Sequence, residues 1–82
     1  MERYLLIDKI YELFLDLAIV DEPASETQIK ENIGLTLEKA TYVESLYNMI
    51  FLKAKNSKLL NDPKITDILI ELEKIRLQLE VL

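Results

Sequence analysis

The chain has no cysteine, no histidine and no tryptophan, and its 82 residues include one glycine and two prolines. Without cysteine there is neither a disulfide framework nor a thiolate metal site. Without histidine as well, the usual zinc sites, a Ser–His or Cys–His nucleophile and a histidine general base all fall away. Carboxylates, lysines, tyrosines and hydroxyls remain for chemistry, so neither an enzymatic activity nor a metal or cofactor is expected. Few glycines and prolines, with 50% hydrophobic and 30% charged residues, suit a compact all-helical protein and argue against disorder. At this length a single core is marginal, and a second copy would add stability. Charge interrupts Met1 to Lys9 too early for a signal peptide, and no apolar run approaches bilayer-spanning length. A cytoplasmic protein without a membrane partner is the expectation.

The net charge is -5, which discourages polyanion binding, but its distribution is uneven. Before Lys53, acidic residues outnumber basic ones, and after Lys64 they do so again. Between those positions lie Lys53, Lys55, Lys58 and Lys64 against Asp62 alone. This basic segment stands where an element gripping phosphates would follow a DNA-reading helix.

Apolar periodicity predicts four helices. The first, Arg3 to Val20, confines Asp8, Lys9, Glu12 and Asp16 to a narrow polar stripe, so it has more than one side to bury. A turn at 21 to 25 follows, with Pro23 ending the first helix, and Ser25 with Gln28 forms a capping-box pattern for a short second helix from Glu26 to Ile33. The only glycine, Gly34, then predicts a left-handed corner, with Thr36 capping a third helix that runs to about Phe51. On that helix Ala40, Val43, Leu46, Tyr47 and Ile50 form the inward stripe, while Glu38, Thr41, Glu44, Ser45 and Asn48 share the other face.

The segment 51 to 60 is open between two readings, a small β-wing with Asn56-Ser57 at its tip and an irregular loop. Asp62-Pro63 then supplies a cap and a first-turn proline for a last helix over 63 to 82. Its Ile65, Ile68, Leu72, Ile75, Leu79 and Leu82 alternate spacings of three and four, the seam of a coiled coil, and predict a dimerisation helix. Ile70, Leu77 and Val81 form a thinner stripe on the far side. Two-sided burial of both terminal helices favours a homodimer.

Counted from Glu26, the apolar Ile29, Ile33, Leu35, Ala40 and Val43 around Gly34 resemble the helix-turn-helix pattern. The order of elements around this corner is similar to small winged-helix transcription regulators, including compact archaeal, plasmid and viral ones. The resemblance implies one winged-helix-like domain over 1 to 82, with the helix-turn-helix at 26 to 52. It also implies a dimeric, sequence-specific DNA-binding regulator. Thr41, Ser45 and Asn48 would read base edges in double-stranded DNA, and Lys39, Lys53, Lys55 and Lys58 would supply the charge. Lys30 departs from the pattern, which favours a small residue there, and Glu38 and Glu44 place carboxylates near phosphates. Those acids support a second reading, an acidic adaptor or inhibitor module that meets a basic protein and no nucleic acid.

Overall fold

The computed structural model describes residues 1–20 and 25–81. Among them there are four helices and no strand: α1 (Arg3–Asp16), α2 (Glu26–Thr36), α3 (Ala40–Asn56) and α4 (Pro63–Glu80). The chain is therefore all-α with four helices, as composition and periodicity predict. Positions 21 to 24 of the predicted turn, Pro23 among them, and the seam residue Leu82 lie outside the described residues.

The core joins Leu6, Ile10, Leu13, Phe14 and Leu17 of the first segment to Val43, Leu46, Ile50 and Ala54 of α3 and Ile65, Ile68, Leu69 and Leu72 of α4. Ile33 and Leu37 enter from α2 and the turn behind it. The most extensive pairing is between α3 and α4, and α2 leans mainly on α1. Among the described residues no polar or charged side chain is buried, so desolvation is left to apolar groups alone.

Two helix starts follow the local side-chain chemistry of the sequence. Ser25 Oγ accepts from the Gln28 backbone N–H at 3.4 Å, and Asp62 Oδ1 accepts from the Lys64 N–H at 2.9 Å with Pro63 at the first helical position. The stops differ from expectation. α1 ends at Asp16, upstream of Pro23, because Ala18 turns left-handed with φ 55°. Its N–H reaches Leu15 O at 3.2 Å and the Ile19 N–H reaches Phe14 O at 2.8 Å, the paired bonds of a Schellman stop.

Gly34 is not a corner. It sits inside α2 with no left-handed φ, and the helix continues to Thr36. Arg3 Nη2 donates to the Gly34 carbonyl at 2.6 Å, and an added Cβ would lie 3.6 Å from Ile7 Cδ1, so this glycine faces α1 at ordinary contact distance. Thr36 does not cap α3 either. Its hydroxyl donates back to Asn32 O at 2.8 Å, and Lys39 occupies the N-cap position without a side-chain cap bond. Because α2 runs on, Leu35, an apolar position of the helix-turn-helix pattern, faces solvent at 62% exposure, and Leu37 in the three-residue turn is buried in its stead.

The wing is also absent: 51 to 56 is the end of α3, and the chain turns at 57 to 62. A second Schellman stop ends α3, with Lys58 at φ 60°, its N–H on Lys55 O at 3.1 Å and the Leu59 N–H on Ala54 O at 2.8 Å. The seam of α4 is occupied within the chain, since Ile65, Ile68 and Leu72 are buried and Ile75 and Leu79 pack against the same core. It is not a free surface for a second copy.

Candidate nucleic-acid interface

Helical periodicity puts the buried Val43, Leu46, Ile50 and Ala54 on one side of α3. At about 100° per residue, the directly opposite side carries Thr41, Ser45, Asn48, Leu52 and Lys55. All five are exposed. The three hydroxyl and amide residues predicted to read bases are thus brought together over two turns, and the extension of α3 into the segment open between wing and loop adds Lys55 to their row. Leu52 joins the row too, from the segment whose sequence is open between a wing and a loop. The signal that finds them is the spacing of Val43, Leu46, Ile50 and Ala54, which holds the helical period past residue 51.

The remaining lysines are arranged less closely. Lys53 lies about 120° around the helix from Thr41. Lys58 is exposed beyond the helix end, and Lys39 stands before its start with Nζ 5.3 Å from the centre of the Tyr42 ring. Lys53 and Lys55 occupy the last turn, where cations also stabilise the negative end of the helix dipole. From 38 to 58 the chain holds Lys39, Lys53, Lys55 and Lys58 against Glu38 and Glu44, whereas α1, α2 and α4 each carry more acidic than basic residues. Glu44 is exposed at the edge of the Thr41 row, and Glu38 lies 3.7 Å from Arg3.

The polar groups in the row have capacity left for a partner. Ser45 Oγ donates to Thr41 O at 3.1 Å, which keeps its lone pairs open as acceptors. Beside the row, Tyr42 and Met49 border a cavity of about 420 Å³ closed below by Phe14, Ile29 and Ile33. Lys30 points away from all of this. It lies on the α1 side, 3.0 Å from both Asp8 and Glu26 and over the Tyr11 ring, so hydrogen bonds to Glu26 first and Asp8 second raise its pKa. The fold therefore accommodates Lys30 by turning it toward α1.

Among the described residues, no group of three or more acidic side chains is placed to hold a metal ion, and no helix is long and apolar enough to cross a membrane. No protein-family model matches the chain, and neither a curated protein nor a solved structure is significantly similar to it.

Proposed function

We propose that the chain is a dimeric, sequence-specific DNA-binding protein of the transcription-regulator type that presents the outward row of α3 to the major groove. The observation that carries this reading is the coincidence of three things on α3: an exposed Thr41–Ser45–Asn48 row opposite the core, Lys55 in the same row, and the only lysine excess of the molecule. An asparagine amide can pair with adenine and hydroxyls with several base edges, while lysines on phosphates supply affinity without sequence information. Lys53, Lys55 and Lys58 of two protomers lie along the backbone on either side of the groove. A salt titration of binding to duplex genomic fragments tests this. Replacing the three lysines by alanine lowers affinity for every sequence and reduces the slope of log K against log salt by about 0.9 for each phosphate no longer neutralised. No duplex binding at low salt, or an unchanged slope, overturns it.

A second reading is favoured by the exposed Glu44 at one edge of the Thr41 row, the exposed Glu38 before it, and the apolar cavity at Tyr42 and Met49 along the other edge. In it the same face receives a basic, partly apolar protein segment and no DNA. Charge reversal of both glutamates then abolishes capture of the protein partner, while DNA retention is absent in every variant.

A further inference from the structure

With the core-facing seam of α4 occupied inside the chain, the apolar stripe on its other side stands open. Ile70, Leu77 and Val81 are 50%, 52% and 84% exposed. At about 100° per residue they share one narrow line opposite the core. Toward its N-terminal half, α4 also shares a concavity of about 340 Å³ with α3, lined by Tyr47, Phe51, Leu60, Thr66 and Ile70 and edged by Glu73. Tyr47 and Phe51 stack with their ring centres 6.4 Å apart, which gives that hollow a flat aromatic wall. One helix face thus carries a hollow at one end and two protruding side chains, Leu77 and Val81, at the other.

We propose that this face is a two-fold interface with a second copy of the chain, formed by antiparallel α4 helices that cross at Ile70. The inference rests on the dimeric part of the reading above and gives that dimer its surface. An antiparallel pair centred on Ile70 brings the two Ile70 side chains together at the edges of the two hollows and sets each Leu77 level with the partner's Pro63. The symmetry operation repeats each contact in the other direction, so one pairing covers the stripe on both copies.

Charge agrees with the same register. Asp67 and Lys74 lie on one flank of the stripe, about 60° and 40° from Ile70. In an antiparallel pair each flank meets its own copy, so Asp67 faces the partner's Lys74 twice, within about one residue rise of level. Both side chains are exposed, and Lys74, 3.7 Å from Glu71 on its own helix, lies at the surface within reach of the partner. Overlap of roughly 16 residues is about 24 Å of helix, a small interface for which a micromolar Kd is expected.

The absence of native cysteine makes the test direct. Sedimentation of the full chain without DNA is expected to show a monomer–dimer equilibrium, and L77E, at a half-exposed site, to leave a helical monomer. Under mild oxidation I70C forms a disulfide-linked dimer, because the two positions meet on the two-fold axis. L77C does not, since the two thiols lie about 21 Å apart. D67K and K74D each weaken the dimer several-fold, and D67K/K74D together restore it. A monomer at about 100 µM chain, cross-linking at both positions, or a dimer unaffected by L77E overturns the proposal. A dimer with this pattern that ignores duplex DNA upholds the interface and overturns only the DNA reading. DNA binding by a persistent monomer does the reverse.

Discussion

In the α3–α4 hairpin, four side chains from each helix are buried against one another and against α1. α2 buries a single side chain of its own, Ile33, with Ile29 half-buried against the core, and is further tied to α1 by polar contacts at its rim: Arg3 to the Gly34 carbonyl, and Lys30 to Asp8. The hairpin is held by packing, which is cooperative and insensitive to charge. The helix that carries the sequence motif is held by one buried anchor, the half-buried Ile29 and a few exposed bonds. A motif read on α2 therefore says little about where the stability of the fold resides.

The largest test of that contrast is Leu72→Ala. Leu72 is fully buried, so truncating it removes packing on both partners of the hairpin and is expected to cost about 4 kcal/mol of global stability, read by urea unfolding with an unchanged m-value. Ile33→Ala follows at about 2–3 kcal/mol, since the site lies near the surface cavity and can relax. Its signature is different. Amide exchange should quicken across α2 first, while protection in α3 and α4 falls only with global stability. An equal drop of protection in all four helices would erase the distinction between the two regions.

How far the fold is legible in the sequence depends on the range of the physics involved. The starts at Ser25 and Asp62 are legible because a cap is decided by the side chain that makes it. The buried face of α3 is legible at Val43, Leu46 and Ile50 because period is a property of the helix alone. The ends are not. Ala18 and Lys58 take left-handed conformations that residue type disfavours, while the one glycine sits in a helix where it costs about 1 kcal/mol relative to alanine. Tertiary packing overrides residue preference at these points, and it is nonlocal. The coiled-coil seam is legible as an apolar stripe, but its partner is not, because α3 and a second copy of α4 present the same chemistry. Of the candidate site, Thr41, Ser45 and Asn48 are legible as one face; the place of Lys55 in their row is not, since it depends on how far α3 runs.

The helical glycine and the left-handed alanine offer two smaller changes of opposite origin, both stabilising. Ala18→Gly relieves a left-handed alanine and should add about 1 kcal/mol. Gly34→Ala should add slightly less than about 1 kcal/mol through helix propensity, because its new Cβ meets Ile7 Cδ1 at the ordinary distance of 3.6 Å. A left-handed corner at Gly34 would give the reverse sign, a clear destabilisation on substitution. Thermal melts of the two variants thus distinguish a helix that passes through residue 34 from a corner placed there.

The smallest effect separates the two regions by pH. Lys30 has its pKa raised above the ordinary 10.5 by hydrogen bonds to Glu26 and Asp8, so its contribution is complete below that value and is lost as alkali deprotonates the folded form. Glu73 has the opposite sign: the hydrogen bond from Arg76 lowers its pKa, so its contribution holds above the ordinary 4.5 and is lost in acid. Alkali should therefore loosen α2 against α1 while the Glu73–Arg76 pair on α4 stays charged, because Arg76 is held protonated still further into alkali. Chemical-shift titration of α2 amides against those of α4 measures this. In Lys30→Met the Lys30 share of the alkaline change in α2 should disappear; if it persists undiminished, the rim bonds of Lys30 are not what holds α2 in place.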